Sequence, residues 1–244
     1  MKLKKVTPIL SILLICSILF SSSVFANPNS DEPGDYKNTY ENGKRVVAVH
    51  RVTEKGLVKL SEEEYNVSKR HRDNSVYEKN IMKNDMILNN GIQPFLFAPY
   101  SSYYESGVYY NQARTDLQKM ACSYVANTTN NVAGINFSCS ATQSFTSNFS
   151  LTSAELKGFK MDASITFSSS MSSSQAVTGN ISPKHRGWVE FYPIMDNSFG
   201  VTKNGYYTSD YQLVITEEKF TDIYVPKKVN GLLFGEYIVY ESRL

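Results

Sequence analysis

Ile135-Asn136-Phe137-Ser138-Cys139-Ser140-Ala141-Thr142-Gln143-Ser144-Phe145-Thr146-Ser147-Asn148-Phe149-Ser150-Leu151-Thr152 is the stretch on which the reading of this chain turns. Phe137, Cys139, Ala141, Phe145, Phe149 and Leu151 share one parity, and small polar residues from Asn136 to Thr152 hold the other. Side chains alternate between the two faces of a β-strand, so this period of two predicts one long strand with an apolar and a hydroxylated face. A connection at 154–158 then predicts a second strand. Met161, Ala163, Ile165, Phe167 and Met171 fall on one of its faces, and Asp162, Ser164, Thr166, Ser168, Ser170 and Ser172 on the other.

Charge placement sharpens the pattern. No charged residue lies between Lys119 and Glu155, and none between Asp162 and Lys184. Exposed strands usually carry charges that discourage edge pairing, and here those are missing. Two architectures satisfy such strands. In a β-sandwich the apolar faces pack together and the Ser/Thr faces meet water. In a pore-forming hairpin the apolar faces meet lipid, the hydroxyls line a lumen, and no charge has to cross the bilayer. Phe145, Phe149, Ile165 and Phe167 are then the candidate membrane-facing residues. Unpaired backbone in lipid is costly, so the pore reading also requires a closed homo-oligomer.

Outward from this core, residues 43–90 predict a small hairpin plus a helix. Val46-Val47-Ala48-Val49 and Leu57-Val58-Lys59-Leu60 flank the turn signal Glu54-Lys55-Gly56. Ser61 with Glu64 three residues on forms a capping box for a helix over 62–70. From residue 91 aromatics become dense, and 91–244 reads as a β domain. Within it, Ala113, Leu117, Met120, Ala121 and Tyr124 recur at helical spacing and predict a short helix over 113–124. Strand signals follow at 177–182, 188–192, 206–216, 223–227 and 234–241, with a turn at Pro183-Lys184-His185-Arg186. The expected fold is mostly β: an elongated antiparallel sheet or a β-sandwich with one or two short helices.

The start of the chain has a basic segment, an apolar run and a small-residue site ending at Ala26, the three parts of a secretory signal over 1–26. Residues 27–42, rich in Asn, Asp, Pro and Gly, read as a disordered leader. Loss of the signal takes Lys2, Lys4 and Lys5 from 25 basic residues and leaves 22 against 23 acidic ones. A near-neutral chain gives nucleic acid no electrostatic footprint. Cys122 and Cys139 remain as an isolated pair, expected to form a disulfide in an oxidising compartment. No nucleophile elbow, zinc-protease helix, Walker loop or dinucleotide glycine pattern occurs, and His50, His71 and His185 are scattered. No catalytic residue, metal ligand or cofactor is therefore expected.

The run 137–182 resembles the strand pair flanking the inserting loop of aerolysin-type β-pore-forming toxins. More widely, 122–193 resembles a group of uncharacterised secreted β-rich proteins of Gram-positive bacteria. In those, a Cys precedes Ser/Val-rich alternating strands, a Pro-x-x-x-Gly turn and an aromatic strand. Here the turn and strand read Pro183-Lys184-His185-Arg186-Gly187-Trp188-Val189-Glu190-Phe191-Tyr192-Pro193. The sequence thus leads to a secreted, non-enzymatic β-protein that binds or interacts with a cell surface. The alternative, which the toxin resemblance implies, is a membrane-active protein of the aerolysin-like type with a membrane component as partner.

Overall fold

The computed structural model describes residues 36, 39–41, 43–70, 87–89 and 99–244. The secretory-signal reading of 1–26 falls outside them. Strand dominates, as the sequence predicts, with two helices.

The longest element is β10 (His185–Tyr207), 23 residues that run through a ten-stranded sheet. Its first part, His185–Pro193, lies between β14 (Gly235–Arg243) on one side and β6 (Lys119–Asn127) on the other. Its second part pairs with β11 (Leu213–Pro226) and β5 (Pro99–Ala113). The partners change over at Pro193. Proline has no N–H for a central ladder. Here its carbonyl instead accepts Arg114 N at 3.0 Å, and a 3-10 turn (Thr115–Leu117) fills the gap between β5 and β6. We call the two parts the proximal and distal halves of the sheet.

On the proximal half, β14 pairs with β2 (Lys44–Thr53), which pairs with β1 (Tyr40–Glu41) and β3 (Gly56–Lys59). The expected hairpin therefore exists, but it belongs to the same sheet as 99–244, and the ladder crosses the boundary read at residue 90. Helix α1, residues 62–70, follows with its capping box intact: Ser61 Oγ accepts Glu64 N at 3.2 Å and Glu64 Oε2 accepts Ser61 N at 2.8 Å. The leader reading of 27–42 is corrected at its end. Tyr36 is fully buried and its hydroxyl donates to Leu60 O at 3.0 Å, while Tyr40 and Glu41 are strand. Tyr36, the Thr39 carbonyl, which accepts Val46 N at 2.8 Å, and Glu41, which accepts Tyr65 and Tyr240, together dock this polar segment.

The helix expected over 113–124 is absent. Ala113 ends β5, Thr115–Leu117 is the 3-10 turn, and 119–124 belongs to β6 against β10. Helical spacing is a weak prior, and pairing beside a long strand overrides it. Strand β7 (Ala133–Ser144) forms as predicted but stops short of 151. Thr146–Ser147, strand β8, pairs instead with β11. Residues 153–162, read as a connection and the start of a second strand, are helix α2 (Ser153–Asp162). Its capping box overrides the alternation there: Thr152 Oγ1 accepts Glu155 N at 3.3 Å and Glu155 Oε2 accepts Thr152 N at 2.7 Å. The second strand, β9 (Ser170–Ile181), starts only after an irregular segment, 163–169.

Three cores result. One lies between the proximal half and β7–β9, with Val189, Phe191, Tyr237 and Val239 facing Phe137, Val177 and Ile181. A second covers the opposite proximal face, with Tyr36 and Tyr65 against Trp188, Tyr192 and Tyr240. The third joins the distal half to the 145–169 segment through Tyr103, Phe159, Ile165, Ile223 and Val225.

Candidate functional site

The unusual element is the β7–β9 hairpin, a two-stranded sheet outside the ten-stranded ladder. Its register runs unbroken from Ala133↔Ile181 to Ser144↔Ser170. Alternation sorts its side chains cleanly. Asn136, Ser138, Ser140, Thr142 and Ser144 on β7, with Ser170, Ser172, Ser174, Thr178 and Asn180 on β9, are exposed. Phe137, Cys139, Ala141, Gln143, Val177, Gly179 and Ile181 are buried against the sheet.

The base of the hairpin is firmly held. Ser182 N and Oγ both donate to Glu241 at 2.8 Å, and Arg45 pairs with the same carboxylate. Asn127 Nδ2 donates to Ile181 O at 2.8 Å and Ser182 O at 3.1 Å. Gly187 lets Ile181 lie directly on β10, since a Cβ there would be 2.4 Å from Ile181 Cδ1. Midway along, the expected disulfide joins Cys139 to Cys122, so it staples two strands rather than a strand to a helix. Its 17-residue loop contributes about 3 kcal/mol by the chain-entropy estimate.

Level with the bridge, the seam holds an unsatisfied polar group. Gln175, opposite Cys139, has its Oε1 and Nε2 buried without a hydrogen-bond partner, and two residues further along β9 Ser173 Oγ accepts Leu233 N at 3.0 Å. A buried amide without partners costs on the order of 1–3 kcal/mol. His50 on β2 is buried under β9, its Nε2 2.8 Å from Thr178 O. Burial holds its pKa below the ordinary value, against the opposing pull of the Thr178 carbonyl and with Lys59 adding to the lowering.

The 145–169 segment closes the end of the hairpin over the distal half. Burial by itself would raise the Glu155 pKa. Lys219, the Thr152 amide and Asn204 outweigh it and hold the carboxyl below its usual range. Phe159 contacts Tyr103 at 5.0 Å and Phe167 at 6.0 Å between ring centroids. The four residues singled out for membrane contact all belong to this segment, and none is on β7 or β9. Ile165 is a buried core residue, and Phe145 and Phe167 pack against that core with centroids 5.2 Å apart. Phe149 lies under Lys219, whose Nζ is 4.2 Å from the ring centre. The alternation that drew attention to them is present in the sequence but unused by this fold. Nothing local in the sequence marks which side of a strand will be covered, so the burial of Gln143 and of His50, one of the scattered histidines, is set by the tertiary fold alone. Thr152-x-x-Glu155, by contrast, was a readable helix start.

Among the described residues no group of three His, Cys, Asp or Glu side chains gathers to hold a metal ion. No helix among them is long and apolar enough to cross a membrane, which leaves strands as a separate question. No protein-family model matches the chain, and no curated protein does either.

Proposed function

We propose that the protein is a secreted, non-enzymatic membrane-active β-protein whose β7–β9 hairpin lengthens through 145–169 to form staves of an oligomeric barrel. The observation that carries this reading is the hairpin register. The ladder ends with Gln143↔Met171 and Ser144↔Ser170. Continued without a slip, it sets Phe145 opposite Ser169, Phe149 opposite Ile165, Leu151 opposite Ala163 and Ser153 opposite Met161. Phe145, Phe149, Leu151, Met161, Ala163, Ile165 and Phe167 then share one face. Thr146, Asn148, Ser150, Thr152, Ser164, Thr166 and Ser168 share the other. A single slip would destroy this separation. Each arm adds about ten residues, in line with the roughly 9–11 that a tilted membrane strand takes. Glu155, Lys157 and Lys160 collect at or beside the turn, where they emerge on the far side instead of sitting in lipid.

The stapled base supports the same reading, because it leaves the far part of the hairpin the easiest to release. It also agrees with the aerolysin-type resemblance of 137–182. The disulfide leaves residues from Ser140 onward free to move. The test is release of a trapped dye from phosphatidylcholine and mixed anionic vesicles, with and without limited proteolysis, alongside a search for a detergent-resistant oligomer. Release with an oligomer is expected. Neither from any composition ends the proposal and leaves an extracellular binding protein.

A further inference from the structure

The distal half of the sheet has two unlike faces. Tyr103, Ser198, Thr202 and Thr221 are buried on the face under α2. The other face carries rings that reach solvent: Tyr104 is 51% exposed, Tyr109 42% and Tyr207 39%. Tyr104 stands opposite Val201 across the β5–β10 ladder, and Tyr207 belongs to the same parity of β10 as Val201 and Phe199.

We propose that this face, formed by Tyr100, Tyr104, Tyr109, Phe199 and Tyr207, is a binding site for neutral carbohydrate. The inference is independent of the pore reading. First, the rings are held in place before any ligand arrives. Tyr100 meets Tyr207 edge-on at 5.7 Å, and Tyr109 stacks on Phe199 at 5.2 Å with 20° between the planes. Phe199 lies flat over Gly107, where a Cβ would be 2.7 Å from its ring. A fixed ring loses little conformational entropy on binding, which is why tyrosine-rich surfaces recognise ligands efficiently.

Second, the charges at the centre cancel. Lys203 pairs with Glu218 at 2.7 Å, and the same ammonium lies 5.2 Å from the Tyr104 ring centre. Asp222, opposite Phe199 on the same face, accepts the Asn197 amide and adds negative charge, so among these residues no unpaired cation is left to attract a phosphate, a sulfate or an anionic lipid. A neutral ligand with an apolar face to stack on rings and hydroxyls to bond phenolic oxygens fits this surface, and a pyranose ring has both.

The test is an array of neutral, sialylated and sulfated oligosaccharides probed with the full secreted chain, followed by titration of the strongest neutral glycan. Binding to neutral members is expected. Tyr104→Ala with Tyr207→Ala should weaken it about tenfold or more, while Tyr104→Phe with Tyr207→Phe should keep most of it, because the stacking ring survives. An unchanged melting temperature and unchanged fluorescence of Trp188, the chain's single tryptophan, certify that the fold is intact. Capture of acidic glycans alone, of no glycan, or undiminished capture by the alanine pair overturns the proposal.

Discussion

The two covers of the proximal half invite comparison, because the same strands β2, β10 and β14 are buried on both faces by different means. On the α1 side, buried and half-buried carboxylates are met by several donors each. Glu236 takes Arg51 and Ser68, Glu190 takes Lys44, Trp188 and Gln118, and Glu41 accepts both Tyr65 and Tyr240. On the hairpin side such a network exists only at the base, around Glu241 and Asn127. Along its length the hairpin relies on a disulfide, apolar contacts, one histidine and a single bond from Leu233 N to Ser173 Oγ, and leaves a glutamine amide unpaired. Partner removal leaves a buried charge stranded, so the first cover is costly to open anywhere. The second is anchored at one end and can open from the other.

The largest expected effect comes from cutting the staple. Cys122→Ser with Cys139→Ser should lower unfolding free energy by about 3 kcal/mol in urea titration and speed amide exchange in β7 more than in β2. Equal acceleration in both strands would break the distinction between the covers. Next, Gln175→Leu removes the orphaned amide and should stabilise the protein by roughly 1–3 kcal/mol, while reducing any membrane activity. A destabilised Gln175→Leu protein would mean that the amide has a partner after all. Thr152→Ala removes the α2 cap and should cost about 1 kcal/mol. Its exchange signature should be confined to 145–169, and a spread into α1 would contradict separate release of the two covers.

The smallest effect is a pH dependence. His50 has a lowered folded pKa, so the unfolded chain takes up a proton first as pH falls. Its contribution is complete above the ordinary histidine value of 6.5 and declines below it, down through the folded pKa. The groups facing it are the Thr178 carbonyl, Lys59 across the β3 ladder and Tyr237 across the β14 ladder. Glu155 acts lower: its depressed pKa gives stability that is present above the ordinary 4.5 and lost as pH falls through the folded value. His50→Gln should flatten the stability profile between these two ranges and leave the lower part unchanged. A profile identical to that of the parent protein removes His50 from the account.

Local codes were legible in the sequence. Glu54-Lys55-Gly56 marked a real hairpin turn, Ser61 and Glu64 a real helix start, and the Cys pair a real bridge. What could not be read depended on distant partners. β10 looked like separate short strands because Pro193 reads as a breaker, whereas in the fold it marks the point where one pair of neighbours replaces another. β6 took a helical pattern into a ladder. The most instructive difference concerns 145–169, which contains two messages. Thr152 and Glu155 specify a helix start, while Phe145, Phe149, Ile165 and Phe167 specify a continuing strand. The described fold uses the first, and the second is the one that the proposed barrel would use.

The direct test of that second message is a single-cysteine fluorophore scan through 145–151 and 163–169 on vesicles, with the native disulfide intact. The account predicts alternation: labels at 145, 149, 165 and 167 report lipid, and labels at 146, 148, 164 and 166 report water, with the same parity in both arms. Uniformly aqueous signals, or a helical period of three to four residues, would contradict it.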